Sequence, residues 1–325
     1  MALSSLARKP AILMTTEYMP SSFELLKKHF EIDVWDTPKY GNITKKDLVK
    51  LVKGKFGIYC NSHDTIDEDI IKAGGNLMEA LKENNVRLGY CPDVVTESTA
   101  ELTVALLLAT SRRIIEAAQT VKSLFHTDFI LDRGGWKTWS PLWLCGQGLQ
   151  GSTVGIIGYG RIGHSVAKKL KAFAVKEIIY TSRTEKETAT EIGAKRTDLD
   201  SLLRTSDFVI VTIALTPETK GIVSRSKIAL LKKNAIFVNT GRGGLVDQDA
   251  LVEALEQKKI LAAGLDVMTP EPLPVDHPLN KLDNCVLLPH IGTQQFRAAE
   301  EMSARSSENI IAALKGTSMP AEYPL

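Results

Sequence analysis

The stretch TVGIIGYGRIGHSVAKKLKAF, residues 153–173, decides how this chain is read. Thr153–Ile157 has the apolar, β-branched make-up of a buried strand, and Ile162–Phe173 has the periodicity of an amphipathic helix. Between them Gly158, Gly160 and Gly163 are spaced as G-x-G-x-x-G. That spacing alone also occurs in ordinary turns. Placed after a strand and opening a helix, it is the fingerprint of a dinucleotide site. Gly158 permits the tight turn, Gly160 lets the backbone approach a pyrophosphate, and Gly163 lets the helix pack on the strand. The amide groups and dipole of the helix start suit a negative charge.

Outward from this motif the same grammar continues. Strands are expected at Thr153–Ile157, Glu177–Thr181, Asp207–Ile213, Ala235–Asn239, Ala262–Val267 and Cys285–Leu288, with helices at Ile162–Phe173, Ser226–Lys232 and Gln248–Glu256. Six strands with helices between them match a doubly wound dinucleotide-binding fold. Upstream, Ala11–Thr16, Ile32–Trp35, Phe56–Cys60 and Val86–Tyr90 read as strands. Ser21–Phe30 (with Ser21 or Ser22 as N-cap), Thr44–Val52 and Asp67–Ala73 read as helices. Thr96–Thr120 forms one long helical pattern, and Gln294–Leu314 is a final amphipathic helix that returns the chain to the first domain. The expected fold is α/β with two doubly wound parallel-sheet domains, one a Rossmann dinucleotide-binding domain and the other a flavodoxin-like substrate domain. Residues 1–104 with 298–325 would form the substrate domain, and 105–297 the Rossmann domain.

Composition narrows the class. The 325 residues carry 40 Lys+Arg against 38 Asp+Glu, a net charge of +2, with 44% hydrophobic residues. This is a globular balance without the charge excess of a disordered chain or a polyanion binder, so no nucleic acid is expected as partner. Apolar runs such as Leu102–Ala109 fall far short of the roughly 20 residues that cross a bilayer, so no membrane is expected either. Cys60, Cys91, Cys145 and Cys285 are scattered, which suits reduced thiols and no metal cluster. Met1–Thr16 has no acidic residue, as transit segments do, but Pro10 interrupts any amphipathic helix there. A cytoplasmic location is expected.

Two features bear on chemistry. After the second strand of the dinucleotide domain, where NAD enzymes usually carry Asp or Glu for the adenosine ribose, the chain reads Tyr180-Thr181-Ser182-Arg183-Thr184. Arg183 can pair with a 2′-phosphate, so NADP(H) is expected as the preferred cofactor, with NAD(H) as the alternative. Arg242 in NTGRGGLVD, Glu271 in AGLDVMTPEPLP and His290 in VLLPHIGT each follow a predicted strand, at the edge where α/β sheets hold ligands. An Arg in a glycine turn, a capping acid and a satisfied His are the plain structural readings of the three taken singly.

Taken together, with TESTAELTVALLLATSRR, WKTWSPLWLCG, VGIIGYGRIG, TPET, NTGRG, AAGLDV, PEPLP and LPHIG in one order, they resemble the D-isomer-specific 2-hydroxyacid dehydrogenases. The similarity is greatest to the glyoxylate/hydroxypyruvate reductase branch. The resemblance implies reduction of a small 2-oxo acid, glyoxylate or hydroxypyruvate, by hydride transfer within a homodimer. His290 is then the general acid, Glu271 orients its ring, and Arg242 grips the substrate carboxylate. The resemblance also places Gly160, Arg161 and Ile162 at the pyrophosphate, Arg183 and Thr184 at the adenosine phosphate, and Thr240 and Gly292 near the nicotinamide. It sets Asp266 on the nicotinamide side. Trp139 and Trp143 fall in a loop that helps form the dimer and approaches the neighbouring site, with Trp143 toward the substrate. Ala214 stands where relatives carry a small polar residue.

Two departures from the family pattern stand out. Relatives carry a strand and an S-V-G-x-D loop where this chain runs through GNLMEAL, residues 75–81, so the first domain is expected to be shortened near residues 75–80. The loop's amide groups are expected to receive the substrate carboxylate. SLFHTDFILDR, residues 123–133, is an insertion. Three alternatives stay open: a dehydrogenase of another D-2-hydroxy acid, a catalytically impaired chain that binds cofactor and dimerises, and a dinucleotide-sensing binding protein.

Overall fold

The computed structural model describes residues 9–61, 64, 66, 70, 87–122 and 140–323. They form two compact units, Met1–Val95 with Gln294–Leu325, and Thr96–Thr293. The partition falls ahead of the long helix that begins at Thr96, where the sequence reading cut that helix after residue 104. The stretch 75–80, the insertion 123–133 and Trp139 lie outside the described residues, and of the expected Asp67–Ala73 helix only Ile70 is described.

In the first unit, β1 (Ala11–Met14), β2 (Glu31–Val34) and β3 (Gly57–Tyr59) make a parallel sheet in the order β2-β1-β3. Alternation along β1 supplies two faces. Ile12 and Met14 pack with Leu26, Phe30 and Ile310, and Leu13 packs with Leu48, Val52 and Ile70. The helix expected at Ser21–Phe30 spans Pro20–Lys27, with Met19 as N-cap and no side-chain cap. Pro20 takes the first helical position because its fixed φ and missing N–H suit it. Ser21 therefore lies inside the first turn and donates to Glu300 Oε1 at 2.7 Å. Thr44 does cap its helix, accepting from the Asp47 amide at 3.2 Å.

Val86–Tyr90 is a correction. Among the described residues of that segment only Gly89 pairs, in an isolated antiparallel bridge with Glu322. Asn309 holds the segment instead: its Nδ2 donates to Tyr90 O at 3.0 Å, and a Cβ on Gly89 would lie 2.7 Å from Asn309 Cβ. The backbone thus lies against the final helix, Phe296–Lys315, rather than joining the sheet.

Among its described residues the second unit holds seven parallel strands: β4 (Thr153–Ile157), β5 (Glu177–Thr181), β6 (Lys195–Arg196), β7 (Phe208–Val211), β8 (Ile236–Asn239), β9 (Ala262–Leu265) and β10 (Cys285–Leu287). Their order is β10-β9-β8-β7-β4-β5-β6, so the chain reverses direction across the sheet between β4 and β7. This is the switch point at which such sheets hold ligands. Strand residues alternate between two apolar cores. Val154, Ile156, Tyr180, Ile210 and Val238 meet Leu106, Leu107, Val166 and Leu170 on one face. Ile157, Ile179, Val211, Phe237 and Leu265 meet Leu202, Leu251 and Leu255 on the other. Burial on both faces is why these strands are short continuous apolar runs. The long pattern Thr96–Thr120 is two helices, Thr96–Ser111 and Ile114–Lys122, parted at Arg113, whose φ is +53°. No described helix is long and apolar enough to cross a membrane.

Candidate active site

The turn after β4 is built by glycine. Gly158 has φ +94°, and a Cβ there would lie 2.5 Å from Ile213 Cα, so a side chain is excluded both by conformation and by space. A Cβ on Gly163 would lie 2.4 Å from Gly158 O, which is how closely the helix seats on the turn. Gly160 differs, with nothing within 4 Å of an added Cβ. It is the N-cap of the Arg161–Lys171 helix, which opens without a side-chain cap. An uncapped helix start facing open space beside a glycine fits a dinucleotide pyrophosphate. Arg161 is exposed there, whereas Ile162 is half-buried against the apolar core.

At the end of β5, Arg183 and Thr184 are both exposed. The turn carrying them is tied down: the Lys186 amide donates to Tyr180 Oη at 3.1 Å, and Ser182 Oγ donates to Thr184 O. The Thr216 side chain, by hydrogen bonding, holds the Glu218 carboxyl below its ordinary range, and the Arg183 charge adds a smaller pull in the same direction. Ala214, after β7, accepts from Thr219 Oγ1 at 2.7 Å through its carbonyl.

The turn after β8 presents Arg242. Asn239 clasps it, accepting from the Gly241 amide at 3.0 Å through Oδ1 and donating to Arg242 O at 3.0 Å through Nδ2. The Arg242 side chain, on an exposed residue, donates to Gly241 O at 2.7 Å. Thr240 is buried with its hydroxyl 2.8 Å from Thr103 Oγ1. Thr103 spends its own proton on Thr99 O at 2.7 Å, so Thr240 is the donor between them.

Asp266 follows β9, 1% exposed, its carboxylate accepting from the amides of Ile291 and Gly292, both at 2.8 Å. Burial pushes its carboxyl above the ordinary range; the two amides and the neighbouring His290 work against that rise. These bonds fix the backbone immediately after His290, whose φ is +57°, a left-handed conformation that a non-glycine residue adopts only when its surroundings impose it. His290 Nδ1 lies 2.8 Å from Glu271 Oε2, and each side chain is about a quarter exposed. The other Glu271 oxygen accepts from the Met268 amide at 2.9 Å. Glu271 stands between cis peptides preceding Pro270 and Pro272.

The Glu271–His290 pair and the Asp266 bonds to Ile291 and Gly292 thus meet at one turn, joined through the backbone from His290 to Gly292. Arg242 sits on the neighbouring strand end, since β8 pairs with β9 through Asn239 and Leu265. Among the described residues Trp143 joins none of these networks; it is half-buried in the turn Pro141–Leu144, with its amide donating to Ser140 O at 3.1 Å. Sequence reasoning missed Asn239 and Gln248. Gln248 accepts from the Thr269 amide at 2.9 Å and donates to Thr269 O at 2.7 Å, pinning the loop that carries Glu271. The Asn in NTGRG is a signal for such a turn; Gln248 leaves none.

A sequence model of the D-isomer specific 2-hydroxyacid dehydrogenase NAD binding domain matches residues 104–292. The chain is 43% identical over 311 residues to the glyoxylate reductase/hydroxypyruvate reductase of Homo sapiens, covering 91% of each. It is 36% identical over 331 residues to the glyoxylate reductase of Thermococcus litoralis, covering 96% of each. Among solved structures, the TT0316 protein of Thermus thermophilus has a TM-score of 0.86 at 35% identity, over 97% of this chain and 100% of that one. An NADPH-dependent glyoxylate/hydroxypyruvate reductase from Sinorhizobium meliloti, in complex with NADP and malonate, has a TM-score of 0.78 at 27% identity over 97% of both chains. The chain belongs to the D-isomer specific 2-hydroxyacid dehydrogenase family.

Proposed function

We propose that the protein reduces glyoxylate to glycolate and hydroxypyruvate to D-glycerate, using NADP(H) in preference to NAD(H). The observation that carries this reading is the 2.8 Å pair of His290 and Glu271, held by Asp266 at the carboxyl edge of a dinucleotide-binding sheet. Reduction of a 2-oxo acid needs a hydride at the carbonyl carbon and a proton at its oxygen. A bound nicotinamide supplies the hydride. The residues of this chain do the rest. The His290 imidazolium gives its Nε2 proton to the carbonyl oxygen, which becomes the product hydroxyl, and the ring is left neutral. Glu271 accepts from Nδ1–H, which keeps the ring oriented and leaves Nε2 for the substrate. Arg242 offers planar guanidinium donors to the substrate carboxylate and draws charge from the carbonyl.

Gly158, Gly160, Arg161, Ile162 and Gly163 form the pyrophosphate turn in this reading. Arg183 and Thr184 take the adenosine phosphate, and Thr240, Asp266 and Gly292 flank the nicotinamide. NADP(H) preference is supported by Arg183, by the lack of an acid at residues 181–184, and by the NADP held by the S. meliloti relative. The substrates are supported by the names of the relatives at 43% and 36% identity. Trp143 is assigned to the substrate side, and a cytoplasmic homodimer completes the reading.

The test is the initial rate of NADPH and NADH oxidation with glyoxylate, hydroxypyruvate and bulkier 2-oxo acids. Turnover of the two small acids with a lower KM for NADPH is expected. Turnover confined to a bulkier acid, or NADPH binding without turnover, would contradict it.

A further inference from the structure

Arg196 lies on β6, the two-residue edge strand, paired with Tyr180 of β5. Its guanidinium reaches past the end of β5 to the turn that carries Arg183. Nε–H donates to Ser182 O at 3.1 Å and Nη2–H donates to Arg183 O at 3.0 Å. Both partners are carbonyls, which accept hydrogen bonds without cancelling the charge. The same residue lines a concavity of about 490 Å³ together with Thr181, Glu185, Thr197 and Asp198. Of the two acids there, Asp198 is engaged as the N-cap of Leu199–Thr205, accepting from the Ser201 amide at 2.9 Å. The Arg196 guanidinium thus stands, with the Glu185 and Asp198 carboxylates, in the lining of a concavity beside the β5 turn, and its fork also sets that turn's backbone.

We propose that Arg196 is a second determinant of cofactor choice: it positions the Ser182–Thr184 turn and adds its own charge to that of Arg183, favouring a dinucleotide with a phosphate monoester on the adenosine ribose. The inference rests on the NADP(H) reading given above. It explains how an exposed turn can hold Arg183 in a defined place, because a long surface side chain on a loose loop loses much of its attraction to ordering entropy. A fork bonded to two successive carbonyls removes part of that cost.

The test measures dissociation constants of NADPH, NADH and adenosine 2′,5′-bisphosphate by fluorescence titration or calorimetry, on the full chain and on Arg196→Leu, Arg196→Lys and Arg183→Ala. Arg196→Leu is expected to weaken NADPH and the bisphosphate about tenfold while changing NADH less than about twofold, the size of one charge-assisted contact to phosphate. Arg196→Lys keeps the charge without the fork and should recover part of the loss. Arg183→Ala should weaken NADPH and the bisphosphate in the same selective way. Equal weakening of NADPH and NADH by Arg196→Leu would make Arg196 merely structural and overturn the proposal while the NADP(H) reading stands. No weakening of either would do the same. An unmodified protein that binds NADH more tightly than NADPH would overturn both.

Discussion

Asp266 shows how much of the site depends on one side chain that need not touch substrate. Its two oxygens each accept a backbone amide, from Ile291 and Gly292, and so impose the left-handed backbone of His290. Asp266→Asn keeps the size but turns one acceptor into a donor facing an N–H. That substitution should destabilise the protein by about 1–3 kcal/mol, the cost of a buried group left unpaired. Urea unfolding of the two proteins measures it; a difference below about 0.5 kcal/mol, the size of an ordinary surface substitution, would mean that the loop holds its conformation without Asp266. Arg242, Glu271 and His290 were legible as candidates because each follows an apolar run at the ligand edge of a parallel sheet. Asp266 was legible only through family resemblance, Asn239 only as a turn residue in NTGRG, and Gln248 and Arg196 not at all. Partners such as Thr269, 21 residues from Gln248, are brought close only by folding.

Among the elements, β4 and its helix are the most constrained. A Cβ on Gly155 would lie 2.2 Å from Ser206 Oγ and 2.5 Å from Leu202 Cδ2, so Gly155→Ala should cost about 1–3 kcal/mol through overpacking. Gly160→Ala meets nothing within 4 Å and should cost at most about 1 kcal/mol as a poorer N-cap. It should nevertheless weaken dinucleotide binding, because its methyl occupies the approach to the helix start. Thermal melts and cofactor titrations on the two variants separate these effects; a Gly160→Ala protein with unchanged affinity would remove the pyrophosphate from that turn. β4 and β5 were legible to the residue, being β-rich runs closed by glycine or by polar turns. β6 was missed because Lys-Arg carries no apolar signal. Val86–Tyr90 was misread because its alternating pattern fits a strand, while among its described residues the Tyr90 amide donates to Ala321 O, Leu88 O accepts from the Tyr323 amide and Tyr90 O accepts from Asn309 Nδ2.

For the whole molecule, family membership rests on similarity through most of the chain, and function on a handful of side chains in one unit. Among the described residues, none of the helix Ile114–Lys122 is buried, and Ile114, Ile115 and Val121 are exposed by 49%, 42% and 42%. Such an apolar face would suit the proposed homodimer. Sedimentation velocity should give a dimer that Ile115→Glu weakens; a monomeric unmodified protein would contradict it. In the proposed reaction His290 delivers the proton, and the cofactor binds independently of it. The most direct measurement is the single-turnover rate of NADPH consumption with saturating hydroxypyruvate, on the unmodified protein and on His290→Ala with its NADPH affinity measured alongside. A rate about 10²–10⁴-fold lower, with NADPH affinity within about threefold, is the predicted result for a general acid. An unchanged rate, or loss of cofactor binding together with turnover, would contradict it and make His290 a structural residue.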